Sequence, residues 1–469
     1  QYLVAHNREE LPFSRSDRSW VYASSKKQNN YQGFGTDKDV YQPGHEYIYP
    51  SMFPFKVTAE HINHKDNAPY FLPSAKIIGK SHNRKRPYRP FSIINISAMS
   101  FGSLSANAVS SLNLGAIKAG CYHNTGEGSL SPYHAHGADV VFHIGTGYFG
   151  CRAEDGGFSM EKLVEVVEKN PFVRMIEVKL SQGAKPGKGG VLPAKKITAE
   201  ISAIRGVPMN KDVISPAYHV AFEGVRGMCE FLEEIAEATG LPVGIKSAVG
   251  KLGLWEELAE IMKTDKIGPD FISIDGGEGG TGAAPPAFAD YVARPLAYAF
   301  PEVYKIFQKA ELTDDITFIV SGKTGFPARA LTYFAMGADL INVAREAMLS
   351  IGCIQAQVCH NNTCPTGIAT QNKWLASGID PKLKGERLYN YMKTFRKEVL
   401  EITHACGYEH PCQMTMKDVA INSQNRTKVL EKTYDYVKTP IPFNNMLELY
   451  SCEHLGGGEA VKEQVKLPA

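Results

Sequence analysis

Thr317-Phe318-Ile319-Val320-Ser321-Gly322-Lys323-Thr324-Gly325 and, further on, Gly337-Ala338-Asp339-Leu340-Ile341-Asn342-Val343-Ala344-Arg345 read as strand, loop, and next strand. Short apolar runs that end in glycine or a polar residue, with helical stretches between them, mark the buried strands of a parallel α/β chain. Working outward, the same texture starts at Phe91. It recurs at Phe91 to Ser100, Cys121 to Gly128, Asp139 to Gly147, Met175 to Leu180, Asp212 to Ser215, Val243 to Ser247 and Phe271 to Ile274, besides the two runs quoted. Amphipathic helices follow most of them, such as Phe222 to Thr239 and Leu252 to Thr264. Strand, loop and helix repeated about eight times predict a closed (β/α)8 TIM barrel. Nine candidates exceed eight, and Asp139 to Gly147 is the expected excursion.

The barrel is expected over 91–375. Residues 1–90, rich in Tyr, Pro, Asn and Ser, read as an extension wrapping it, and 376–469 as a helical, charged cap. Of the 469 residues, 43% are hydrophobic and 21% charged, with 43 glycines, which fits an enzyme with many tight βα turns. A net charge of +2 and the lack of a basic stripe argue against nucleic-acid binding. The one dense basic run, His82-Asn83-Arg84-Lys85-Arg86, is expected to be a solvated loop. Nine cysteines without paired spacing point to a reducing compartment, with the cytoplasm as the default. No stretch approaches the ~18 to 20 apolar residues of a transmembrane helix. The chain opens on Gln1 rather than Met, which leaves room for an upstream anchor or targeting segment.

In such barrels the C-terminal ends of the strands carry the active site. Here they supply Ser97, Ser100, Asn124, Glu127, Lys179, Gln182, Ser215, Lys246, Asp275, Glu278 and Ser321. The run Gly276-Gly277-Glu278-Gly279-Gly280-Thr281-Gly282 has five glycines in seven positions, so its backbone can approach a flat ring or a phosphate. Phosphate sites form at the last two βα loops of barrels, where Gly322, Lys323, Gly337, Ala338 and Arg345 are found. A phosphate-bearing cofactor such as FMN fits there.

Cys353, Cys359 and Cys364 stand at CxxxxxC and CxxxxC spacing in one segment, 351–371. Clustered thiolates select an iron–sulfur centre or zinc. Structural zinc usually takes a fourth ligand, and His360 could serve, although it adjoins a ligand cysteine and would strain a tetrahedral site. Three ligands suit a [3Fe-4S] cluster. The other six cysteines read as buried thiols.

Ala98-Met99-Ser100-Phe101-Gly102-Ser103-Leu104-Ser105, Asn124-Thr125-Gly126-Glu127-Gly128, Gln182-Gly183-Ala184-Lys185-Pro186-Gly187, Gly279-Gly280-Thr281-Gly282-Ala283 and Cys359-His360-Asn361-Asn362-Thr363-Cys364-Pro365 occur in this order. They resemble the FMN-binding synthase domain of glutamate synthase, over about Phe91 to Gln371. Pro12 to Tyr41 and Ile144-Gly145-Thr146-Gly147-Tyr148-Phe149-Gly150-Cys151-Arg152 resemble short, stand-alone members, some of which carry an N-terminal membrane anchor. An anchor upstream of Gln1, and membrane association, are therefore further expectations.

The resemblance implies electrons passing from a donor, such as ferredoxin or a reductase subunit, through the cluster to FMN, and reduction of the imine of 2-oxoglutarate to L-glutamate. It implies Lys185 and Glu127 as catalytic residues and Arg205, Ser215 and Gln182 at the substrate. Ala98, Met99, Ser100, Asn124, Lys246, Gly279, Gly280 and Thr281 are implied at the flavin, with Gly322, Lys323, Gly337, Ala338 and Arg345 toward its phosphate. Two positions depart from the pattern: Val191 and His143 stand where the glutamine-dependent enzymes have glutamines. With the barrel beginning near Phe91 and no N-terminal cysteine nucleophile, no glutaminase activity is expected, and no GxGxxG fingerprint for NAD(P)H is evident. Two alternatives stay open: a transferase joining an amine to glutamate, and an electron-transfer protein without amination.

Overall fold

In the computed structural model, which describes residues 11–457 except 29–30, 32, 37, 60, 64–67 and 424–425, eight apolar runs close into one parallel barrel. In chain order they are β1 Ile94–Ile96, β2 His123–Asn124, β3 Val140–Ile144, β4 Val173–Lys179, β5 Val243–Ala248, β6 Phe271–Asp275, β7 Thr317–Ser321 and β8 Leu340–Val343. Each pairs with its chain neighbours, and β8 closes on β1 through Ile341 and Ile94. All five residues of β3 and all five of β6 are buried, as expected where helices cover the outside and side chains fill the interior. The helices expected from Phe222 and Leu252 run Gly224–Thr239 and Gly253–Asp265. Helix Ala106–Ala119 starts where the Ser105 side chain accepts the Ala108 N–H and stops at left-handed Gly120.

The excursion is not Asp139 to Gly147, which supplies β3. It is Asp212 to Ser215. Val213–Ile214 pairs antiparallel with Val191–Leu192 outside the barrel, and Ile214 is 70% exposed, so this run lacks the two-sided burial that selects a barrel strand. That hairpin and helix Ala199–Arg205 lie in the long connection from β4 to β5.

The cap and the basic run differ in detail from expectation. The boundary at 375 falls before a barrel-wall helix, Pro381–Ala405, which lies against Ala106–Ala119. A Cβ on Gly115 would lie 2.7 Å from Leu388 Cβ and 2.8 Å from the Gly385 carbonyl oxygen, so the two helices need bare glycine to approach this closely. Beyond it the chain is not purely helical: Val419–Ser423 pairs with Arg426–Val429 and with Glu46–Ile48 of the extension in a three-stranded antiparallel sheet. Nor is the basic run a solvated loop at Arg84, whose Nε lies 3.0 Å from buried Asp270 and whose guanidinium also pairs with Glu233. Residues 1–10 and 458–469, the ends of the extension and the cap, lie outside the described residues. Among the described residues no helix is long and apolar enough to cross a membrane.

Candidate active site

The floor of the site is built on a charge inside the barrel. Glu177 of β4, 1% exposed, accepts hydrogen bonds from Asn124 Nδ2 (2.8 Å) of β2, Ser273 Oγ (2.6 Å) of β6 and His143 Nδ1 (2.8 Å) of β3. Burial pushes its carboxyl up, but His143, Lys246 and the Ser273 hydroxyl outweigh burial and hold it at about 2. Lys246 of β5 lies 3.3 Å from Asp275 of β6, and the attraction of Asp275 and Glu177 raises its pKa against the effect of burial. Asn124 is spent on this floor: its Oδ1 also accepts the Gly126 N–H at 3.0 Å.

Above the floor, a single turn, Gly126–Gly128, presents Glu127 to Lys179 Nζ at 2.9 Å. Burial works against ionisation of Glu127, yet Lys179, with help from His143 and Lys185, holds the carboxyl at about 2. Bare backbone makes room for it: a Cβ on Gly190 would come within 2.3 Å of Oε1, and one on Gly145 within 2.8 Å of Oε2. Lys185 is 4% exposed and donates to the Ala283 carbonyl at 2.9 Å; burial lowers its pKa and Glu127 pulls it back up. Gln182 donates to Thr281 Oγ1 at 2.9 Å, and a Cβ on Gly183 would strike the Gly276 carbonyl oxygen at 1.8 Å. The loops after β4 and β6 are thus pressed together. Glu127, Lys179, Gln182, Gly189 and Pro216 line a small polar cleft.

Arg205 ends helix Ala199–Arg205 and points its guanidinium toward this group. It is 4% exposed, donates from Nη2 to the Phe101 carbonyl at 2.7 Å, lies 5.3 Å from the Phe149 ring centre, and has no partner at Nε. Burial lowers its pKa to about 10, and the attraction of Glu127 only partly opposes that. A buried guanidinium with an unpartnered Nε and no carboxylate at ion-pair distance among the described residues has the chemistry to pair with an anion. Ser215, 6% exposed, is held by its N–H on the Gly190 carbonyl at 2.9 Å.

At the ends of β7 and β8 stand two more cations. Lys323 Nζ is 6.0 Å and Arg345 Cζ 5.0 Å from the centre of the buried Phe13 ring, which the extension inserts here. Burial lowers the pKa of both, and for Lys323 the neighbouring Arg345 adds to the effect. Neither has an ion-pair partner among the described residues. Backbone at Gly322 (φ 140°) and Lys323 (φ 53°) is left-handed, and a Cβ on Gly280 would come within 2.7 Å of Arg345 Cδ. Paired cations beside open backbone fit a phosphate. At the end of β1, Ala98 is half-buried, the Met99 N–H donates to the Asn124 carbonyl at 3.1 Å, and Ser100 Oγ donates to Ser103 Oγ at 2.9 Å. Gly279 turns on its own N–H to the Gly276 carbonyl, 2.8 Å.

Gly337 and Ala338 do not join this group. They precede β8 and so lie at the opposite, N-terminal end of the barrel, where Gly337 (φ 114°) caps helix Pro327–Met336 and lies against the Tyr304 ring.

The cysteine segment follows helix Arg345–Ile351. Burial and the neighbouring thiols push Cys353 up to about 11, burial raises Cys359, and the N–H groups of Ala369, Thr366 and Ile368 bring Cys364 down despite burial. Among the described residues no group of three His, Cys, Asp or Glu is arranged to hold a metal ion. Each outer thiol is turned to local partners: Cys353 Sγ accepts the Gln355 N–H at 3.4 Å, and Cys364 Sγ meets Thr366 Oγ1 at 3.5 Å. Of the other cysteines, Cys452 is half-buried and the rest are buried.

Sequence reading missed Glu177, Phe13 and Phe149. The only cue to Glu177 was a lone acid inside an apolar run, Val173-Arg174-Met175-Ile176-Glu177-Val178-Lys179.

With this geometry in place, comparison with known proteins adds a family match: the conserved region in glutamate synthase aligns with residues 41–409. The glutamate synthase large subunit-like protein YerD of Bacillus subtilis (strain 168) is 35% identical over 91% of this chain and 86% of its own length. An archaeal NADPH glutamate synthase of Methanocaldococcus jannaschii is 34% identical over 67% of this chain and 59% of its own. A ferredoxin-dependent glutamate synthase of Pyropia yezoensis is 28% identical over 66% of this chain, which spans 21% of that protein.

Proposed function

This chain belongs to the glutamate synthase family, and from that membership we propose that it is an FMN-dependent oxidoreductase that aminates a 2-keto acid reductively, 2-oxoglutarate to L-glutamate. Ammonia is the nitrogen source and an external donor, ferredoxin or a reductase subunit, supplies the electrons. The observation that carries the proposal is Arg205: a buried cation with an unpartnered Nε, within electrostatic reach of the Glu127 carboxylate that also acts on Lys185, is matched by a keto acid's carboxylate.

In this proposal Arg205 binds that carboxylate, while Ser215 and Gln182 orient the rest of the substrate. Lys185 stands over the carbonyl carbon's oxygen, where its ammonium neutralises developing charge and supplies a proton. Glu127, ionised at neutral pH, accepts from the N–H groups of ammonia and of the imine, and Lys179 keeps it ionised. Bound FMN supplies the hydride. Lys323 and Arg345 would hold its phosphate, and Ala98, Met99, Ser100, Gly279, Gly280 and Thr281 would line its ring. Lys246 would place positive charge beside the reduced ring. Cys353, Cys359 and Cys364 would hold a [3Fe-4S] cluster, which would supply one-electron chemistry toward the flavin; three thiols in one segment, with backbone N–H groups turned to Cys364, are a donor set of the right chemistry.

The test is anaerobic. Flavin in the purified protein is reduced with one equivalent of dithionite and mixed with a panel of 2-keto acids, each with and without ammonium. Reoxidation by 2-oxoglutarate only when ammonium is present supports the proposal; a flavin that stays reduced with every pair overturns it.

A further inference from the structure

In the turn after β3, Gly145 to Gly150, Thr146 and Tyr148 lie outside the roles assigned so far, and their side chains reach one short strap, residues 216–221. Thr146 Oγ1 donates to the Pro216 carbonyl at 2.7 Å. Tyr148, fully buried and held at a left-handed φ of 51°, presents its hydroxyl to the strap's far end, where it accepts the N–H groups of Val220 (3.0 Å) and Ala221 (3.1 Å). A non-glycine residue persists in that conformation only where its surroundings hold it.

His219, inside the strap and 7% exposed, completes the network. Its Nε2 lies 2.8 Å from the Lys179 carbonyl oxygen, which can only accept, so Nε2 carries the proton. Nδ1 is then an acceptor and takes the Tyr148 O–H at 3.1 Å. Every polar atom of the Tyr148 hydroxyl and of the His219 ring is satisfied in one arrangement. Burial lowers the pKa of His219 to about 4, so this neutral form holds at physiological pH. Phe222 stacks on the ring, centroids 4.9 Å apart and planes 23° apart, and closes it from solvent. The strap also starts close over the loop that carries Lys185: a Cβ on Gly189 would lie 2.7 Å from the Pro216 carbonyl oxygen.

We propose that Tyr148 and His219 are positioning residues that latch the 216–221 strap over the cleft and fix the Lys179 backbone, and that this latch sets affinity for the keto acid. Lys179 is the side chain that pairs with Glu127, so a latch holding its carbonyl also holds the Glu127 ion pair in place. Pro216 lines the cleft directly, so releasing the strap opens the substrate's enclosure without touching Arg205 or Lys185. The affinity half of the proposal rests on the keto-acid function proposed above; the latch half does not.

The variant Tyr148→Phe keeps the ring that packs against Phe158 and removes only the hydroxyl. In the holoenzyme, hydrogen exchange of the Val220 and Ala221 amides is expected to rise about tenfold or more, with β3 and β4 amides unchanged. The KM for 2-oxoglutarate is expected to rise about tenfold with kcat within about twofold. Thr146→Val, which frees the Pro216 carbonyl at the strap's other end, should move KM in the same direction. Unchanged strap exchange in Tyr148→Phe overturns the latch. Faster exchange with an unchanged KM overturns its role in affinity. If the wild-type protein turns over no keto acid, the proposed function fails and the exchange result alone decides the latch.

Discussion

Replacing Arg205 with methionine sets the substrate's share of this residue against the fold's. Burial holds the guanidinium at about 10 against 12.5 for a free one, so carrying the charge inside the fold costs about 3 kcal/mol at ~1.4 kcal/mol per pH unit. Methionine removes that cost and fills a similar volume against Phe149. It also leaves the Phe101 carbonyl without its donor, a loss of about 1–3 kcal/mol. The two nearly cancel, so the variant should unfold within about 2 kcal/mol of the parent, a shift of a few degrees in Tm. Substrate is affected far more. Truncating one partner of a buried charge pair costs about 2–5 kcal/mol, which lowers kcat/KM for 2-oxoglutarate by about 30-fold to several thousand-fold. Scanning calorimetry and steady-state kinetics on the same preparation decide it. A Tm lower by more than 10 °C with an unchanged KM would show that Arg205 serves the fold and refute its role as the carboxylate site.

Lys179→Met leaves burial as the main influence on Glu127, whose pKa then rises. The ion pair's contribution is present above the free carboxyl's 4.5 and lost as pH falls through about 2, so removing Lys179 moves the acid limb of the kcat/KM profile upward by roughly 1–3 pH units. A limb that stays put rules out Glu127 as the titrating group. Lys323→Met removes one of the two cations above Phe13 and is expected to weaken FMN binding about tenfold, about 1.4 kcal/mol, in a fluorescence titration of the flavin-free protein; equal affinity places the phosphate elsewhere. Cys359→Ser should abolish chain-bound iron and its spin-resonance signal while the flavin absorption remains, and iron retained in that variant excludes Cys359 as a ligand.

The barrel could be read from the sequence because strands buried on both faces leave a plain trace, short Val- and Ile-rich runs stopped by glycine. Where that trace misled, at Asp139 to Gly147 against Asp212 to Ser215, the two runs are similar in polarity and differ in what packs on their second face. Val140–Ile144 is covered on both sides, whereas Ile214 stands in solvent. Gly337 misled for a related reason: a glycine between helix and strand serves a helix cap as readily as a phosphate, and its φ of 114° belongs to the cap. Glu127 was legible as a polar strand end and Lys185 as a cation in a glycine-rich loop, whereas Arg205 was legible only through the family resemblance; the fold sets both cations within electrostatic reach of Glu127. Glu177 was not, because a buried carboxylate depends on partners from three other strands that lie 34 to 96 residues away in the chain. The cysteine spacing shows the chemistry of a ligand set, while the direction of each Sγ depends on local N–H and hydroxyl partners that spacing does not encode.

The most direct measurement of the central claim is a labelled single turnover. Protein reduced by two electrons per flavin is mixed with 2-oxoglutarate and [15N]ammonium without air, and the product is examined by mass spectrometry. L-[15N]glutamate at one equivalent per flavin reoxidised is the expected outcome. Reoxidation without labelled glutamate, or an amine joined to added glutamate with no reductant present, would contradict it.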